Sequence, residues 1–198
     1  MVVLDDLPYR RMITKSRVPK FMAWQFPIIE QHCKTVFYID GSSRPRIDNL
    51  FLPLLSDLKA QVLSSEVGFA TALHSKKGRT VKLELEAVLE SKKDIKVNVD
   101  ASFAWFREQD DYHDNIVGFN NTFFMYSVSS KYWRMLMEDC FWKRYSLELD
   151  SWRDQPLFSY CVHHLSSKPV DFSSAGFKNN VGSGHGKHHY SAKDNFKN

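Results

Sequence analysis

The sequence predicts an α/β fold, a sandwich of helices around a central, mainly parallel sheet of mixed character. Three observations predict it. Short β-branched and aromatic runs, such as 35–39, alternate with longer stretches of helical spacing. The first of those runs is apolar throughout, the pattern of a strand covered on both faces. And 43% hydrophobic residues among 198 supply enough apolar side chain for a buried core.

Taken in order, 13–24 mixes Lys15, Arg17 and Lys20 with Ile13, Val18 and Phe21, and reads as a loop entering a short helix with Pro19 near its start. The run 35–39 is a strand that stops at the turn cluster Asp40-Gly41-Ser42-Ser43. Helical spacing marks 50–63, and 67–73 is a second buried strand ending at His74. In 80–91, Val81, Leu83, Leu85, Val88 and Leu89 lie close to one stripe of an amphipathic helix. Residues 92–99 are polar and loop-like, and 102–108 are aromatic and ambiguous. A strand is expected within 115–126, at Phe123-Phe124-Met125-Tyr126 behind Asn120-Asn121. A long helix follows over 129–145 with Ser129 or Ser130 as its cap, then a helix over 155–165 and a last short strand at Val170 to Phe172. The division expected is one domain over 1–177 and a tail rich in Gly and His over 178–198.

Composition narrows the function classes. A net charge of +4 with scattered basic residues, and no nucleic-acid motif, argues against nucleic-acid binding while suiting an anionic ligand such as a nucleotide diphosphate. No apolar run approaches the roughly 20 residues of a membrane span. The first nine residues lack the basic-then-apolar order of a secretory leader. The three cysteines, Cys33, Cys140 and Cys161, read as buried free thiols, and the location expected is cytoplasmic.

Four constellations can carry chemistry. Asp40 at the end of a strand places a carboxylate at the carboxyl edge of the sheet, where ligand crevices form and where Mg²⁺ or Mn²⁺ can hold a diphosphate. The plain alternative is a turn aspartate. In Trp152-Arg153-Asp154-Gln155-Pro156, Asp154 can act as a base or orient sugar hydroxyls and Trp152 can stack on a ring; equally, Asp154 can simply cap the next helix. His185 and His188, in the tail with His189, can ligate a metal or belong to a plain Gly/His-rich terminus. Lys15, Arg17 and Lys20, ahead of a helix, can bind phosphate or form an ordinary basic loop. Glu84 and Glu86 are two residues apart on one helix, so at most one faces a cleft.

In this order, Ser16-Arg17-Val18-Pro19-Lys20, Phe37-Tyr38-Ile39-Asp40-Gly41-Ser42, Leu73-His74-Ser75, Glu84-Leu85-Glu86-Ala87 and Trp152-Arg153-Asp154-Gln155-Pro156 resemble the motif series of a glycan-transferase family of plants and bacteria. They also resemble the small capsid-glycosylating glycosyltransferases of large algal viruses. The resemblance covers residues 13–165 and implies a GT-A fold. It implies a nucleoside-diphosphate sugar as donor, UDP-linked hexose the type expected, Mn²⁺ or Mg²⁺ as cofactor, and a glycan or glycoprotein acceptor. For a viral protein, the compartment implied is the host cytoplasm. Asp40 would bind the metal, completed by His185 or His188, because Ser42 stands where such motifs carry a second acid. Lys15, Arg17 and Lys20 would contact the nucleotide, Asp154 and Gln155 would act at the reacting sugar, and Trp152, Asn121, Glu86 and His74 would touch substrate. The first strand of such a fold has only Met1-Val2-Val3-Leu4 as a candidate here. Two other readings stand beside this one: a non-catalytic glycan-binding module, favoured by the aromatic content, and a phosphate-binding or nuclease-like metal protein using the His-rich tail.

Overall fold

Phe123-Phe124-Met125-Tyr126-Ser127 is buried at every position, and the domain is layered around it. The computed structural model describes residues 6–40, 43–45, 51–74, 76–172 and 181–183, with the backbone alone for 43–45 and 181–183. Its helices are α1 (Met12–Phe21), α2 (Pro27–His32), α3 (Phe51–Ser64), α4 (Val81–Glu90), α5 (Lys96–Arg107), α6 (Lys131–Met135), α7 (Trp142–Tyr145) and α8 (Asp154–His163). A π-turn, Leu136–Phe141, joins α6 to α7. The strands are β1 (Thr35–Ile39), β2 (Ser43–Pro45), β3 (Phe69–Thr71), β4 (Phe123–Ser127), β5 (Val170–Asp171) and β6 (Val181–Ser183).

The main sheet has the order β1-β4-β3-β5. β4 runs antiparallel to both neighbours, with Val36 opposite Tyr126 and Phe69 opposite the same tyrosine, while β3 and β5 are parallel. The sheet is therefore mixed, and the expectation of a mainly parallel one is corrected: β1, β3 and β5 share a direction, but β4 separates β1 from β3. β1 is consequently an edge strand and only half-buried; the strand covered on both faces is β4.

Alternation along β4 sorts the core into two layers. Phe124 and Tyr126 join the larger cluster, with Val18 and Phe21 of α1, Leu85 of α4, Phe106 of α5, Trp133 of α6 and Phe158 of α8. Phe123 and Met125 face the other way, onto Leu58 and Val62 of α3 and onto Phe172. Helices thus cover both faces. Tyr126 stacks on Trp133 at 4.4 Å between centroids, and Phe21 packs on Phe141 at 4.4 Å. Truncating a fully buried ring such as Phe158 to alanine costs about 3–5 kcal/mol in cores of this kind.

Three local expectations change. Residues 13–20 are not a loop: α1 runs through Pro19, and no side chain caps its start. Residues 96–99 are helical, because Val99, Ser102 and Phe106 recur at helical spacing and are buried. Cys140 and Cys161 are not free thiols. The π-turn runs beside α8 with the two Cα atoms 5.8 Å apart, and the sulfurs are bonded; Cys33 is free and half-buried. Thr80 and Ser130 cap α4 and α6, each accepting from the backbone N–H three residues on. Among the described residues no helix is long and apolar enough to cross a membrane.

Candidate functional site

The shared direction of β1, β3 and β5 collects the chain's polar residues at one edge of the sheet. Asp40 follows β1, His74 lies three residues beyond β3, and Asn120, Asn121 and Thr122 lead into β4 between them. The Asp40 N–H donates to the Thr122 carbonyl at 2.7 Å, so the strand pairing itself fixes the start of the turn. Strand spacing puts the ends of β1 and β3 about 10 Å apart, with β4 between.

α1 lies against this edge. Arg17 and Lys20 are three residues apart, on one face of the helix, and both reach Asp154, the first residue of α8. Arg17 Nε and Lys20 Nζ each lie 2.9 Å from Asp154 Oδ2. Lys20 Nζ is also 3.7 Å from Asp40 Oδ1, and the Tyr38 hydroxyl donates to that same oxygen. Lys20 and Asp154 expose 2% and 4% of their side chains, Arg17 18% and Asp40 28%. Burial would raise the Asp154 carboxyl, but Lys20, Arg17 and Arg153 overcome it and hold that carboxyl well below the usual carboxylate range. Burial pushes the Lys20 ammonium below its ordinary value against the pull of Asp154 and Asp40. Burial, then the hydrogen bond to Asp40, raises the Tyr38 phenol.

A second group adjoins the first. Glu84 Oε2 lies 3.2 Å from Arg79 Nε and 3.6 Å from His74 Nε2, and Lys76 N–H donates to His74 Nδ1. Arg153 acts electrostatically on both Glu84 and Asp154 and so links the two groups. Burial raises the Glu84 carboxyl despite Arg79 and Arg153. The segment before α8 is pinned by Asp94, which accepts from Ser151 Oγ at 2.6 Å and Trp152 N at 2.9 Å. Gln155 Nε2 donates to the Phe119 carbonyl, and Ser159 Oγ accepts from Phe119 N, fixing α8 to the chain leading into β4.

Arg17, Lys20, Asp40 and Asp154, distant in sequence, are thus brought together. The expectation that Lys15, Arg17 and Lys20 precede a helix N-terminus is corrected: all three lie inside α1, and Lys15 is two residues from Arg17, about 200° round the helix. Asp154 is a poor base, being buried and ion-paired; it holds Arg17 and Lys20 in place instead. Nor is it the cap of α8: that position is Arg153. Trp152 is corrected too. The residue is 8% exposed and its Nε1 donates to Lys93 O, so it offers little face for a sugar to stack on. Of the two glutamates, Glu84 rather than Glu86 meets His74, while Glu86 lies in reach of Lys82 and Tyr112. Asn121 is buried at the edge with its Nδ2 unpartnered.

Asp40 fits a hard divalent ion as one carboxylate ligand. The others expected, His185 and His188, lie outside the described residues, as do Ser42, the candidate first strand at residues 1–4 and all of the tail beyond Ser183. Among the described residues no three His, Cys, Asp or Glu side chains converge on one point. The strand β6 does bring the chain back to this edge, pairing Ser183 with Ser43, three residues past Asp40.

No protein-family model, curated protein or solved structure matches the chain. Tyr38, Arg79 and Arg153 belong to this group but carried no role in the sequence reading, whereas Glu84 was weighed there against Glu86. The signal for those three was adjacency: each stands within or beside a motif quoted for its neighbour.

Proposed function

We propose that the chain is a GT-A glycosyltransferase that moves a sugar from a nucleoside-diphosphate donor, a UDP-linked hexose, to a glycan or glycoprotein acceptor, with Mn²⁺ or Mg²⁺ as cofactor. The observation that supports this reading is Asp40 at the carboxyl edge of the sheet with Arg17, Lys20 and Asp154 gathered beside it. The leaving group of such a reaction is an anion, and guanidinium groups fixed in advance stabilise developing negative charge without reorganising. Arg17 is the member of the pair with exposed surface to offer a phosphate; Lys20 is too buried to touch a ligand and serves to hold Asp40 against Asp154. Asp154 is a positioning residue, so the proton of the acceptor hydroxyl goes elsewhere. When bound, a divalent ion would neutralise the diphosphate. The return of β6 beside β2 makes the tail histidines the natural source of its remaining ligands.

The test is a thermal-shift panel of nucleotide sugars with and without Mn²⁺, repeated on Asp40→Asn. The expected result is stabilisation by a UDP-sugar only with the ion, lost in the variant while its unliganded Tm is kept. Stabilisation by free glycan and none by any nucleotide would assign a glycan-binding module instead. Cytoplasmic location is part of the proposal, and the Cys140–Cys161 bond, which a reducing compartment does not sustain, argues for an oxidising one; thiol-blocking lysis decides, the two sulfurs found reduced in cells keeping the cytoplasm and the bond found intact removing it.

A further inference from the structure

About 15 Å along α8 from Asp154, the helix ends among imidazoles that the candidate site does not use. His163 closes α8, His164 follows it, and His113 comes from the irregular stretch after α5. The His163 and His164 ring centroids are 5.1 Å apart with planes at 88°, and those of His113 and His163 are 5.4 Å apart at 80°. His113 also acts electrostatically on His164, so the three form one group rather than two pairs. Two imidazoles bound through nitrogen at 2.0–2.1 Å to one tetrahedral ion have centroids about 5 Å apart.

His164 is already oriented from behind. Its Nδ1 lies 3.0 Å from Asp111 Oδ2, and the Tyr160 hydroxyl donates to Asp111 Oδ1 at 2.7 Å. A carboxylate on one ring nitrogen leaves the lone pair on the other, Nε2, pointing outward; metal-bound histidines carry this partner.

We propose that His113, His163 and His164 form a surface site for a borderline divalent transition ion of the Zn²⁺, Co²⁺ or Ni²⁺ kind, with Asp111 supporting His164. The nitrogens do not converge as the rings stand. His113 and His163 are exposed, however, and turning such a ring about its broad terminal torsion costs little. An all-imidazole set selects these ions over Mg²⁺ and Ca²⁺, so the site differs in kind from a hard-cation site at Asp40. It stands independently of the glycosyltransferase reading.

The test uses the full chain with His185, His188 and His189 changed to alanine, so that tail histidines do not contribute. Titration with Co²⁺ should give one equivalent bound with the visible bands of a nitrogen-ligated ion, displaced by Zn²⁺. His163→Ala and His113→Ala should each weaken Zn²⁺ binding at least tenfold, and Asp111→Asn should weaken it by 10- to 100-fold while leaving the ion bound. Zn²⁺ affinity unchanged in both histidine variants overturns the proposal. A check without any of these ligand variants is the imidazole proton spectrum: stoichiometric Co²⁺ should shift the His113, His163 and His164 resonances, and resonances that stay put also overturn it.

Discussion

Lys20 Nζ and Asp154 Oδ2 meet at 2.9 Å across 134 residues of sequence, joining the end of α1 to the start of α8 in a place almost closed to water. A carboxylate so enclosed depends on its cations. Asp154→Ala leaves Lys20 and Arg17 buried without their shared partner and should cost about 3–5 kcal/mol in chemical denaturation. The double variant Lys20→Met, Asp154→Leu should recover part of that loss, because Lys20 is then no longer stranded, although Arg17 still lacks its partner. Equal destabilisation by single and double variants would show that the pair does not set the cost.

Tyr38 supports Asp40 from within the strand. Tyr38→Phe should keep the fold, with stability changed by about 1 kcal/mol, the worth of one hydrogen bond. Under the proposed function it should weaken ion-dependent nucleotide binding several-fold. Isothermal titration of UDP with Mn²⁺ reads that effect directly.

Glu148 anchors the backbone just ahead of α1. Its carboxylate accepts from Arg10 N at 2.9 Å and Arg11 N at 2.7 Å, from a residue held at φ +57°. Glu148→Ala removes both acceptors and keeps the unfavourable backbone angle, so unfolding should become easier by about 1–2 kcal/mol. Glu148→Gly relieves the angle while still losing the carboxylate and should fall between the two in Tm.

His163 and His164 have folded-state pKa values lowered by burial and by their imidazole neighbours. The unfolded chain therefore binds protons on these residues at a higher pH than the folded one. Stability should be fully present above the unfolded value of about 6.5 and should fall as pH drops through it. With chelator present, Tm measured from pH 8 to pH 5 should decline, and the decline should be shallower in His163→Gln.

The Cys140–Cys161 bond closes a short loop, the cysteines being 21 residues apart. Removing it by Cys140→Ser should cost about 3 kcal/mol by loss of the constraint on the unfolded chain. Parent protein scanned with reductant should show the same fall in Tm, and the variant should show none.

Much of the local structure was legible, and the reasons are local. The amphipathic α4 and the Ser130 cap each announce themselves within a few residues. α1 was obscured because Pro19 reads as a boundary, although the helix continues past it. α5 was obscured because Ile95 offers no capping side chain and Lys96 and Asn98 break up the apolar signal of its first turn. The sheet order was hidden because β4 inserts between strands made far earlier in the chain. At the site, motif order marked Arg17, Lys20, Asp40 and Asp154, but not their roles. Whether a carboxylate is a base or a buried counter-ion depends on what surrounds it, and Asp154 is surrounded by cations supplied by α1. Trp152 failed as a platform for a similar reason: Asp94, more than fifty residues earlier, holds its backbone and draws the ring inward.

The insertion of β4 into the sheet also dictates when this protein can fold. Among the described residues β1 pairs only with β4, Thr35 opposite Ser127, and β3 with β4 and β5. During synthesis, the first 120 or so residues therefore emerge as helices flanking unpaired strands, with apolar stretches such as Val36-Phe37-Tyr38-Ile39 lacking any mate. Such high contact order makes for slow folding and a window of exposure to aggregation. A nascent chain arrested before Ser127 should be protease-sensitive and chaperone-bound, and release past β5 should be the point at which it becomes a domain.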